Sequence, residues 1–271
     1  MLSPLLVAAL AVSSRPPSPS APVVAAPAFA TAEFDQSHSA WTKVLDAHVR
    51  GGAFDYAKLK EHPRPLEEYL GSLEAVMPEE FASWKRTQQM AFWIDAYNAY
   101  AVKRVVDAYP IESIKELDEG SKTVWQQEFV PLGKLWPEAG DRALSLDEIG
   151  NKILRPQFKD ARVHAALNGA ARGCPPILGE AFVGEDVEKQ LDAQVARWLA
   201  DTSRNRYDMK ANKLQLSKIF EWSSEDFVRE AGSVRAWVAA RAPEAMREWI
   251  EHTEKLEIEY LDFSWKLNDA K

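Results

Sequence analysis

One segment constrains the fold more than any other. Across residues 80–108, Met90, Trp93, Ile94, Tyr97, Ala101, Val105 and Val106 recur at mostly three- and four-residue steps. That period belongs to an α-helix with one apolar stripe. It predicts the longest helix of the chain, ended by Tyr109-Pro110, because proline disfavours helix at the residue before it. Asn98 falls on or beside the buried stripe. A helix of this length needs partners, and the flanking sequence supplies them. Trp41, Val44, Leu45, His48 and Val49 keep helical spacing up to Gly51-Gly52, as do Leu66, Tyr69, Leu70 and Leu73 between Pro63 and Val76.

Further along, Ser145-Leu146-Asp147-Glu148 has the form of a capping box and opens a short helix ending near Leu154. Residues 121–135 read as a hairpin-like extended pair. Val163 to Leu167 reads as a buried strand carrying His164. Glu185 to Leu199 is an amphipathic helix, Leu214 and Leu216 mark a strand, and Ser217 caps a short helix. Val234 to Ile250 is helical, and Leu256 to Trp265 closes the fold as a strand. Helix exceeds strand and the strands are scattered. The expectation is α+β: a predominantly helical single domain with a small antiparallel or mixed sheet.

The N-terminus has a different character. Residues 2–12 are apolar but too few to span a bilayer, which takes about 20 residues. A Pro-, Ser- and Ala-rich stretch follows, and Ala28-Phe29-Ala30 has the small-x-small form of a processing site. Residues 1–30 are therefore expected to be a signal peptide or a disordered leader, and residues 31–271 the single folded domain. The implied location is periplasmic or secreted. No cysteine stands directly after the apolar run, so no lipoprotein anchor is expected.

Composition narrows the partners. The net charge is −8, and it becomes −9 without the leader, whose single charged residue is Arg15. The charges are scattered, with no basic run of the kind that tracks phosphates. Nucleic acid is not an expected partner, nor is a membrane span expected. A peptide or small-molecule ligand is. The five histidines show no i, i+4 pair, and there is no CxxC, P-loop, GxGxxG or GxSxG. No metal and no cofactor are expected.

Several motifs occur in a defined order: QQMAFWIDAYNAYAVKRV (88–105), LSLDEI (144–149), ILR (153–155), RVHAALN (162–168), GCPPI (173–177), LSKIFEWSSEDF (216–227) and YLDFSWKLN (260–268). Together they resemble domain-of-unknown-function family 547, over about residues 40–268. The resemblance implies an uncharacterised activity, with a proposed relationship to thiol hydrolases of the papain and transglutaminase type. Four positions depart from the family's usual pattern. Gly150 and Asn151 stand in place of Glu-His, Gly169 in place of a second cysteine, and Ser264 in place of an aspartate. Either the chain is a variant branch with a reduced site, or its catalysis has been lost.

The candidate chemistry centres on Cys174, the single cysteine. A thiol nucleophile must be held as thiolate, against a free value of about 8.5. Pro175-Pro176 would open a helix favouring the anion. His164 is the candidate general base and Asn98 its orienter, with Asp95 as an alternative. Backbone N–H groups near Gly173–Cys174 would form an oxyanion hole. Trp93, Tyr97, Trp265, Arg155 and Arg172 are the candidate substrate-binding residues, with Trp222 a further aromatic floor. Each also has a structural reading. Cys174 would be a small buried hydrophobe, His164 a satisfied core histidine, and Asn98 an amide serving a nearby loop. Glu148 fits the capping box better than catalysis, and Arg155 would form an ion pair. Two functions therefore stay open: a thiol-dependent hydrolase, or a binding module for a peptide or cell-envelope ligand.

Overall fold

The computed structural model describes residues 33–270, and from Glu33 onward they form one compact unit. The leader expected at 1–30 lies outside the described residues. Two short helices, α1 (Ser39–His48) and α2 (Tyr56–Glu61), flank a tight hairpin of β1 (Val49–Arg50) and β2 (Ala53–Phe54). Its antiparallel register pairs Val49 with Phe54, across Gly51-Gly52. Next come α3 (Arg64–Ala75), α4 (Pro78–Ser83) and the long α5 (Arg86–Ala108). The helix expected over 80–108 is thus two, broken at Trp84-Lys85, whose extended backbone turns the chain.

α5 is central. Fourteen of its residues are buried, on nearly every side, because α2, α3 and the later helix α8 (Val187–Ala200) pack around it. A helix buried all round belongs to the core of a domain rather than its surface. Trp93 is part of this core: it is 1 % exposed and packs edge-on against Phe81 and Phe92.

Residues 121–135 are not a hairpin. They form short 3₁₀ turns at Val124–Gln126 and Gly133–Leu135, and Val130 instead bridges to Leu144. The capping box forms as read: the Glu148 N–H donates to Ser145 Oγ (3.1 Å), and the Ser145 N–H to Glu148 Oε2 (3.2 Å). It opens a π-helical segment, Glu148–Leu154, that runs into α6 (Arg155–Phe158). The segment 163–167 is helical rather than a strand, with α7 at Val163–Ala166. Apolar runs this short do not distinguish the two states. No helix follows Pro175-Pro176; residues 175–186 are irregular up to α8.

A second apolar cluster forms beyond α8. It comprises β3 (Arg206–Asp208), β4 (Lys213–Leu216), α9 (Ile219–Trp222), α10 (Ser224–Ala231), α11 (Val234–Ala239), α12 (Glu244–His252) and β5 (Glu257–Tyr260). The helix expected over 234–250 is broken before Pro243, which cannot continue it. The sheet is mixed in the order β3-β4-β5: β4 is antiparallel to β3 and parallel to β5. Regular strand ends at Tyr260, short of the Trp265 expected. α8 joins the clusters, sending Val187 and Leu191 into the first and Val195, Trp198 and Leu199 into the second. No helix among the described residues is long and apolar enough to cross a membrane. The fold is α+β and predominantly helical, as expected from the sequence.

Candidate functional site

A pocket of about 190 Å³ opens where the two clusters meet. The elements deliver its lining as follows. α5 contributes Tyr97. Asp147 precedes the π-helical segment, which contributes Gly150 and Asn151; α6 contributes Arg155, and α7 contributes His164. The loop after α7 contributes Gly169 and Cys174, α9 contributes Trp222, and the C-terminal strap contributes Phe263 and Trp265. Trp125 completes the wall.

Three buried asparagines hold the loop that carries Cys174. Asn98 Nδ2 donates to Ala166 O (2.9 Å), and Asn98 Oδ1 accepts the Asn168 N–H (2.8 Å). Asn168 Oδ1 accepts the Ala170 N–H (2.9 Å) and Asn268 Nδ2 (3.0 Å), while its Nδ2 donates to Pro175 O (2.7 Å). The strap is laced to the same loop through Arg172 N–H to Lys266 O (2.8 Å) and Gly173 N–H to Ser264 O (2.9 Å). Gly173 permits this approach, since a Cβ there would lie 2.7 Å from the Phe263 ring. Asn98 therefore positions the loop, and among the described residues no hydrogen bond joins it to the His164 ring, contrary to its expected role.

The partner of His164 is Asp226 of α10: Nε2 lies 2.8 Å from Asp226 Oδ2. Asp226 also accepts from Arg155 Nε (2.5 Å) and Arg229 Nη1 (2.5 Å). Burial alone would raise its carboxyl, but the hydrogen bonds from His164, Arg155 and Arg229 hold it well below the usual carboxylate range. Burial lowers the His164 imidazole more strongly than Asp226 raises it. Only Nε2 of the His164 ring is engaged, by Asp226; Nδ1 makes no hydrogen bond among the described residues. Asp95 is remote from this cluster. It is fully buried, with Oδ2 3.2 Å from His38 Nδ1 and Oδ1 accepting the Phe182 N–H.

Cys174 lines the same pocket as His164, but no hydrogen bond joins them among the described residues. Its Sγ accepts a hydrogen bond from the Gly169 N–H at 3.3 Å, and the Ala171 backbone also bonds to it. Burial pushes the thiol up, and the opposing influence of the Ala171 and Gly169 backbone and of Arg204 does not cancel it. The expected oxyanion donors are occupied. The Gly173 N–H donates to Ser264 O, and the Cys174 N–H to Ala171 O at 3.0 Å. The anion-stabilising helix expected after Cys174 is absent.

Of the residues proposed to bind substrate, Tyr97, Arg155 and Trp265 line this pocket. Trp93 does not, being core. Arg172 is exposed and lines a neighbouring, more polar cavity of about 430 Å³, where its Nε donates to Leu267 O (3.2 Å). Asp226, Trp125, Phe263 and Asp147 were not singled out from the sequence. Asp226, Phe263 and Asp147 lie inside the quoted motifs, but nothing in their spacing placed them beside His164 or Cys174.

The positions expected from the resemblance to be departures gather around this region. Gly150, Asn151 and Gly169 all line the pocket, and Ser264 lines the adjoining cavity. A Cβ at Gly169 would fall 2.8 Å from Trp125 Nε1 and 3.4 Å from the Tyr97 hydroxyl. Trp125, whose indole N–H hydrogen-bonds the Tyr97 hydroxyl, thus occupies space that a larger residue at 169 would need. Among the described residues, no group of three or more His, Cys, Asp or Glu side chains is placed to hold a metal ion.

No curated protein and no solved structure matches the chain. The model of one family matches residues 81–199, a span holding α5, the π-helical segment and the His164–Cys174 loop. Over those residues the chain is similar to the family described as protein of unknown function, DUF547.

Proposed function

We propose that this chain is an exported binding module that uses the pocket to hold a ligand without cleaving it. The observation that carries this reading is the state of Cys174. It is 7 % exposed, burial pushes its thiol up, and its hydrogen bonds come from the Gly169 and Ala171 backbone rather than from a base. A thiol nucleophile needs the opposite: a depressed value, a base in contact and free donors for the oxyanion. The pocket also gathers three positions at which ionisable or thiol groups of the family pattern are replaced by Gly150, Asn151 and Gly169. What remains is a concave aromatic wall with a few polar groups, the usual make-up of a small-ligand site. The expected location, periplasm or cell exterior, makes a peptide or cell-envelope fragment the natural class to screen.

The test is a thermal-shift screen of the full chain and of Cys174→Ala against such fragments. A ligand that raises the melting temperature of both equally is the expected result. Turnover of any fragment that is abolished by Cys174→Ala would overturn it.

One observation favours a second reading, a thiol hydrolase: His164 and Cys174 share the pocket, and Asp226 orients the imidazole. Iodoacetamide labelling followed by intact mass separates the two. The binding reading expects slow labelling with an apparent value above the free-thiol figure of about 8.5. Fast labelling near neutral pH would favour the hydrolase.

A further inference from the structure

The pocket contains one uncompensated charge. Asp147 is half-buried, and among the described residues its carboxylate has no hydrogen-bond or ion-pair partner. Lys152, whose field reaches it, is bonded to Glu148 at 3.1 Å. Burial, and then the Glu148 charge, push the Asp147 carboxyl up, as expected for an anion short of counter-charge. The other ionic groups of the pocket are matched. Arg155 donates to Asp226 and to Asn151 Oδ1 (2.9 Å), and His164 is paired with Asp226.

Five rings stand around the same cavity: Tyr97, Trp125, Trp222, Phe263 and Trp265. Trp265 contacts Trp125, Trp222 and Phe263 at centroid separations of 5.4, 5.9 and 4.5 Å, with interplanar angles of 59°, 29° and 57°. The inclined rings make a curved wall rather than a flat stack. Trp222 is 51 % exposed, an unusual position for an indole that the core does not need. Ring faces are electronegative and attract cations. Lys115 Nζ already lies 5.0 Å over the Trp265 ring, so this indole accepts a cation at its surface. A primary ammonium would bring three donors, which the Asp147 carboxylate alone does not satisfy. An alkylated ammonium brings none and prefers aromatic faces.

We infer that this pocket binds a quaternary or fully alkylated ammonium group, caged by the aromatic wall with Asp147 as counter-ion; this rests on the binding reading above. The cavity, at about 190 Å³, has room for one such head group. The group can belong to a free solute or to a choline lipid, and the test distinguishes them.

The full chain is titrated with choline chloride by calorimetry and tryptophan fluorescence. The comparisons are 3,3-dimethylbutan-1-ol, its neutral isostere, and sodium chloride at equal ionic strength. Choline is expected to saturate and to bind roughly tenfold more tightly than the isostere. Asp147→Asn and Trp222→Leu are each expected to weaken choline about fivefold, with thermal unfolding unchanged. If either variant fails to fold, the isostere comparison on the native chain still decides. Co-sedimentation with phosphatidylcholine vesicles assigns the group to a lipid; saturation by choline without co-sedimentation assigns it to a solute. Both keep the inference. Isostere binding as tight as choline overturns it while leaving the binding reading intact. No saturation by choline also overturns it, and the binding reading then stands or falls on the Cys174 experiments.

Discussion

Replacing Asp226 by Asn should weaken the fold and reveal how the His164 cluster is held. Asp226 is 3 % exposed and is shared by His164, Arg155 and Arg229. Asparagine keeps the shape but loses the charge, and its NH₂ replaces one of the two accepting oxygens. Breaking a buried ion pair on one side costs about 3–5 kcal/mol. The guanidinium partners are partly exposed, at 25 % for Arg155 and 42 % for Arg229, and they regain water. The expected loss therefore lies at the lower end, about 3 kcal/mol at pH 7. For a domain of this size that corresponds to roughly 6–12 °C in melting temperature. The pH dependence has a definite sign. The folded-state carboxyl of Asp226 is depressed, so its contribution is fully present above the ordinary carboxylate value. It is lost as pH falls below that value toward the folded one. His164, lowered by burial, works in the same direction, because unfolding in acid lets the ring take a proton. Urea unfolding followed by tryptophan fluorescence measures the difference. Native chain and variant should differ at pH 7, with a gap that narrows as pH falls below about 4. The control is Glu68→Gln in the exposed Arg64–Glu68 pair, expected to change stability by less than about 0.5 kcal/mol. Equal midpoints at pH 7, or a gap independent of pH, would refute the argument.

Three further outcomes are expected. Gly169→Ala should destabilise by about 1–3 kcal/mol and alter the near-ultraviolet circular dichroism, because its Cβ would displace Trp125. Asn98→Ala should cost about 2–3 kcal/mol by removing two buried hydrogen bonds to the Cys174 loop. It should also speed alkylation of Cys174, which a loss of stability elsewhere would not do under native conditions. Trp198→Ala should cost about 3–5 kcal/mol, since the indole is fully buried and stacked 4.4 Å from Phe220; denaturant unfolding measures it.

Local pattern carried much of this protein. The helices around residues 39–48, 64–75, 86–108 and 187–200 were legible because an apolar stripe at the helical period has one way to be buried. The Ser145–Glu148 box was legible because both partners lie within one turn. The ordered motifs led to the family that matches residues 81–199. Other features depended on contacts between distant residues. The run 163–167 has too few residues to show its period, so packing against α8 decided that it is helical. His164 meets Asp226 across 62 positions, and Asn98 meets the 166–168 loop across about 70. No spacing rule reaches that far. Cys174 was visible in the sequence as the single thiol, yet its character was not. Whether a thiol is a nucleophile or a neutral buried group depends on solvent, donors and charges brought by the rest of the fold, and here burial pushes the thiol up.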